Sequence, residues 1–141
     1  MLRKTMEKYR NKELYDLSCS ETMLSSANEE YNMDLSKDTL RAMAPFSGGM
    51  YCNEACGCIT GSLAVLGILF VDKGAHESDY IKDLTVEFIN EFEMKLGHRN
   101  CEPLKENYRT EENGCTDLMY DTADILDAIV TRELNRKDKY L

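Results

Sequence analysis

Apolar residues recur every three to four positions along most of the chain, and no stretch alternates apolar with polar residues for long enough to predict a strand. The period predicts a first helix over roughly Leu2 to Leu17, with Leu2, Met6, Tyr9 and Leu17 near one face. Ser18 followed three residues later by Glu21 has the form of a capping box, in which each side chain satisfies the other residue's free backbone N–H. It opens a second helix that runs to about Tyr31, with Met23, Ala27 and Tyr31 in phase with Cys19. A short helix from about Lys37 to Ala44 should stop at Pro45, and Phe46-Ser47-Gly48-Gly49 reads as a loop, because paired glycines permit backbone angles that other residues avoid.

Asn53 is suited to cap a central helix that reaches about Val71, which places Glu54, Ala55 and Cys56 in its first turn. Gly57 and Gly61, one turn apart, predict the close approach of a neighbouring helix. Ser78 and Asp79 open a strongly amphipathic helix with Ile81, Leu84, Phe88, Phe92 and Leu96 on one stripe, ended by Gly97. The segment from His98 to Gly114 is polar and reads as irregular, with room for one helical turn near Cys101 and Pro103. The last helix begins near Cys115, carries Met119, Thr122, Leu126 and Ile129 on one face, and gives way after Leu134 to a solvated tail, Arg136-Lys137-Asp138-Lys139. The expected fold is all-α, a bundle of about four to five helices with a buried central helix, in a single domain over 1–141.

The 141 residues, 43% apolar and 30% charged, supply a core for one domain and no second catalytic unit. A net charge of −9, concentrated after His76, argues against nucleic acid or an anionic membrane as the main partner. The N-terminal residues are too charged for a secretory signal, and the longest apolar stretch, Ile59 to Val71, is too short to cross a bilayer. The expectation is a protein of the reducing cytoplasm, where thiols serve more often as ligands or redox centres than as structural bridges.

There are six cysteines. Cys19, Cys56 and Cys115 each fall at a predicted helix start, where the dipole and free N–H groups favour a thiolate or an anionic metal–thiolate group; Cys101 sits beside a proline that could begin another helix. The local cluster Cys52-Asn53-Glu54-Ala55-Cys56-Gly57-Cys58 has a C-x3-C-x-C spacing that fits neither zinc fingers nor ferredoxins. Within one helix Cys56 and Cys58 would point about 200° apart, so Cys58 reads as a core thiol. His98, three residues before Cys101, is an accessory candidate ligand. No serine or acidic partner flanks either histidine as a hydrolytic triad requires, and no Lys-Ser or Lys-Thr follows the glycines as a phosphate loop requires.

Cys19 in a Ser-Cys-Ser-Glu helix start, the Gly48-Gly49 loop, Cys56-Gly57-Cys58-Ile59-Thr60-Gly61, and then the isolated Cys101 and Cys115 resemble the small bacterial family of redox-active proteins named for its C, GCAxxG, C, C pattern. The likeness spans about Leu14 to Val130. The middle motif is one residue shorter here when read from Gly57; the helix-start position selects Cys56 as its cysteine, and the four shared positions are then Cys19, Cys56, Cys101 and Cys115. The resemblance implies a prosthetic group such as an iron–sulfur cluster held by these four thiolates, serving electron transfer or redox sensing with a redox partner protein; Cys52, Cys58 and His98 stand beside them as accessory candidates on their position in the sequence alone. Two alternatives stand beside it. One is a metal-free thiol–disulfide protein, and the other is a structural zinc site in a helical interaction module.

Overall fold

The computed structural model describes residues 1–139, apart from the side chains of the last two of these. Among the described residues there are seven α-helices and no strand: α1 (Leu2–Tyr9), α2 (Cys19–Glu30), α3 (Lys37–Arg41), α4 (Gly57–Phe70), α5 (Tyr80–Leu96), α6 (Cys101–Tyr108) and α7 (Thr116–Lys139). The fold is all-α, with more helices than the four to five expected. The short helix expected from Lys37 is α3, which stops earlier, at Arg41, and the full helix not expected is α6. No helix among the described residues is long and apolar enough to cross a membrane.

The core forms around α4, which buries Cys58, Ile59, Val65, Leu66 and Phe70 and packs against α2, α5 and α7. A helix this apolar on nearly every side has no solvent face to offer and is stable only when enclosed. The stripe predicted on α5 is observed: Leu84, Phe88, Phe92 and Leu96 are buried, and Gly97 (φ 94°) ends the helix in the left-handed conformation. The capping box is also present, with Ser18 accepting from the Glu21 N–H and Glu21 Oε1 accepting from the Ser18 N–H at 3.2 Å.

Four boundaries differ from expectation. α1 ends at Tyr9 because Asn11 folds its side chain back to accept the Glu13 N–H at 3.0 Å, a local turn that competes with continued helix. Asn53 does not cap α4. It closes a tight segment, Gly49–Asn53, in which Met50, Tyr51 and Asn53 have φ between 57° and 62°; the N-cap is Cys56. The segment after Gly97 forms a full helix, α6, over eight residues. The charged run after Leu134 continues α7, since Arg136 pairs with Glu133 at 3.2 Å and the Lys137 ammonium donates to the Leu69 carbonyl at 3.1 Å and lies over the Phe70 ring.

Candidate functional site

Four helix N-termini meet at one cavity of about 270 Å³. Cys19 is the first residue of α2, Cys56 the N-cap of α4, Cys101 the first residue of α6, and Cys115 the residue immediately before α7; all four line the cavity. Each therefore sits where unpaired backbone N–H groups and the positive end of a helix favour negative charge. The cavity wall also carries three cations, Arg10, Lys105 and Arg109.

Three local devices bring these starts together. The first is steric: a Cβ at Gly61 would lie 2.7 Å from the Ser20 carbonyl oxygen and 2.9 Å from the Met23 Cβ, and one at Gly57 would lie 3.1 Å from the Cys19 Cβ. Only hydrogen at these positions lets α2 settle against α4 with Cys19 beside the α4 start. The second is a one-residue β-bridge between Ala55 and Asn100, in which the Cys56 N–H donates to the Arg99 carbonyl at 2.9 Å and the Cys101 N–H to the Glu54 carbonyl at 2.6 Å. It sets Cys56 and Cys101 on neighbouring strands of backbone. The third is Arg10, whose guanidinium donates to the Leu17 carbonyl just before α2 and to the Thr116 Oγ1 at the start of α7, both at 3.0 Å. This bracket ties the segment that carries Cys19 to the one that carries Cys115.

The thiols of Cys19, Cys58 and Cys115 perturb one another. Cys115 and Cys58 both donate to Cys19, and together with the Arg10 charge they outweigh burial and hold the Cys19 thiol well below the ordinary range. The donors shift the other way: Cys115 is pushed up by its bond to Cys19 and then by burial, and the fully buried Cys58 by its bonds to Cys19 and Cys56 and then by burial. Burial raises Cys101, with Lys105 opposing it. Among the three, negative charge is therefore favoured at Cys19 and disfavoured at Cys58 and Cys115.

Cys58 is fully buried in the core, as the sequence suggested, and it is also linked to Cys19 and Cys56. The helical-phase reading that made it a separate core thiol assumed that Cys56 lies within the helix, whereas Cys56 precedes it with an extended backbone (ψ 136°) and Cys58 lies beneath, off the cavity wall but touching Cys19 and Cys56. Cys52 and His98 are exposed and do not line the cavity. Arg10, Lys105 and Arg109 carry no sequence signal of their own, because isolated basic residues in polar segments read as solvated charge. Among the described residues no group of three or more His, Cys, Asp or Glu side chains is arranged to hold a metal ion.

Residues 17–129 match the model of a protein family described as "Putative redox-active protein (C_GCAxxG_C_C)", and this stretch includes all the cysteines that meet at the cavity. The chain belongs to the C_GCAxxG_C_C family. No curated protein and no solved structure matches it. For a C_GCAxxG_C_C protein the geometry accounts for both parts of the name: the separated cysteines are helix starts around one cavity, and Gly61 of the central motif is the glycine that admits α2.

Proposed function

We propose that the protein is a thiol–disulfide redox protein in which Cys19 is the nucleophilic thiolate and Cys115 its resolving partner. The observation that carries this reading is that two helix starts bring Cys19 and Cys115, far apart in sequence, to the wall of one cavity, where Cys115, Cys58 and Arg10 favour the ionised form of Cys19. A thiolate is the attacking species in disulfide exchange, and a second thiol on the same cavity wall can close the bond. Cys19 and Cys115 are also the two cysteines of the cavity wall that are only partly buried, so a substrate can reach them.

A second reading is favoured by a different observation. Four helix N-termini and three cations around one space suit a bound group of net negative charge, and the donor chemistry of Cys19, Cys56, Cys101 and Cys115 fits an iron–sulfur cluster. These four residues would hold it, and it would supply one-electron transfer.

Protein purified and kept anaerobic separates the readings. The thiol–disulfide reading predicts colourless protein without stoichiometric iron, sulfide or zinc, which takes up and gives back two electrons per chain in a redox titration. Brown protein with iron and acid-labile sulfide would replace it by the cluster reading, and one tightly held zinc with no reversible thiol couple would contradict both.

A further inference from the structure

Beside the cavity lies a second depression of about 630 Å³ lined by Arg10, Lys12, Lys105, Arg109, Thr110, Glu111 and Gly114. The two spaces adjoin, sharing Arg10, Lys105, Arg109 and Gly114 in their walls. Four cations thus stand against one carboxylate, Glu111, in a protein whose acidic residues outnumber its basic ones 26 to 17. With so many carboxylates available, pairing them off would be easy. Yet among the described residues none of the four forms an ion pair: Arg10 is turned to Leu17, Asn113 and Thr116, Lys12 to the Glu112 carbonyl, Lys105 to Asn53 Oδ1 at 3.1 Å, and Arg109 makes no side-chain hydrogen bond. Cations clustered in one depression without ion-pair partners create a local positive potential that the net charge of the molecule conceals.

We propose that this basic depression is the binding site for the small-molecule substrate of the cysteine centre, a low-molecular-weight disulfide that carries carboxylate groups. The inference rests on the thiol–disulfide reading and names its substrate class. The two adjoining spaces, about 270 and 630 Å³, are of the size that small-molecule sites occupy. Carboxylates seated on Lys105 and Arg109 bring the disulfide to the cavity, where Cys19 and Cys115 form the wall; a sulfur-free anion would find the same cations but nothing to exchange with the thiols. The chemistry balances in two steps. The Cys19 thiolate attacks one sulfur of the bound disulfide RSSR, forming Cys19–S–S–R and expelling RS⁻. Cys115 then loses its proton to the expelled thiolate and attacks the Cys19 sulfur, so that the Cys19–Cys115 bond forms and a second RS⁻ leaves, to be protonated by water. Two electrons pass from the cysteine pair to the small disulfide, which ends as two thiols.

The test is the rate at which the fully reduced chain forms its Cys19–Cys115 bond with three small disulfides of similar size, each normalised to its rate with free cysteine. These are dithiodipropionate (anionic), hydroxyethyl disulfide (neutral) and cystamine (cationic). The anionic reagent is expected to exceed the neutral one by about tenfold at low ionic strength, with the cationic one slowest. The preference should shrink toward unity in Arg109→Gln and Lys105→Gln and at high salt, and persist in Lys82→Gln, which lies far from the cleft. Equal normalised rates, or the preference for cystamine that the net charge of −9 would dictate, would overturn the proposal while leaving the thiol–disulfide reading intact. Failure of Cys19 to react with any of the three would remove that reading, and the proposal with it.

Discussion

At the residue scale the account turns on Cys19, a partly buried thiol whose ionised form is stabilised by two neighbouring thiols and a guanidinium. Burial alone would push its pKa up; the hydrogen bonds from Cys115 and Cys58 reverse the sign. In metal-free protein the rate of Cys19 alkylation should therefore reach half its plateau well below the ordinary thiol pKa of about 8.5. Cys115→Ala should move that midpoint up, and Cys58→Ala should move it up by less, because the Cys115 bond contributes more. Alkylation rates against pH, resolved by mass spectrometry, check this order; a midpoint unaffected by either substitution would mean that the thiols do not share a proton network. Sequence reasoning reached the helix-start position of Cys19 from Ser18 and Glu21 because capping is local. It missed the link of Cys58 to Cys19 because that link depends on where α4 begins, and the start is set by the bridge from Ala55 to Asn100, a contact between segments far apart in the chain.

At the scale of elements, the site depends on how closely α2 lies against α4. The Gly57 and Gly61 spacing was legible as a close approach, and the Ser20 carbonyl and Met23 Cβ are what approach Gly61. Gly61→Ala must displace backbone on α2, not merely the end of a flexible side chain, so it should destabilise the fold by roughly 1–3 kcal/mol. It should also weaken the Cys19–Cys58 contact, which would raise the Cys19 alkylation midpoint in the same variant. Urea denaturation with alkylation on one preparation tests both effects; a variant as stable as the parent would show that the helices can part without loss. By contrast Pro103 marked the start of α6 at Cys101 but not its length, since the apolar pattern there is weak and the eight-residue helix is held by Leu104 in the core and by the Cys101 N–H bond to Glu54.

Over the whole molecule, long-range polar contacts lock the outer helices around the α4 core. Glu133 on α7 is nearly inaccessible and accepts from the Tyr80 hydroxyl at 2.6 Å and from Arg132 Nε at 2.7 Å, joining α7 to the start of α5. Burial works against its charged form, but the Tyr80 and Arg132 bonds and the Arg136 charge hold its carboxyl below the usual range. Because its folded-state pKa lies below the unfolded one, the folded protein binds fewer protons there. The contribution is complete above the ordinary carboxylate pKa and is lost as pH falls through the lowered folded value. Thermal unfolding midpoints should drop over that acidic window in the parent, and Glu133→Gln should be less stable at neutral pH with a smaller change across the window.

The central claim is that the distant cysteines act as one redox centre built on Cys19, and the most direct measurement is the map of disulfides formed when the fully reduced chain is oxidised by one equivalent of a small disulfide. Peptide mapping should find Cys19 linked to Cys115, residues 96 positions apart in the sequence, with Cys52 remaining a free thiol. A map in which Cys19 stays reduced, and the oxidised pair is instead the local Cys52 and Cys56, would contradict it.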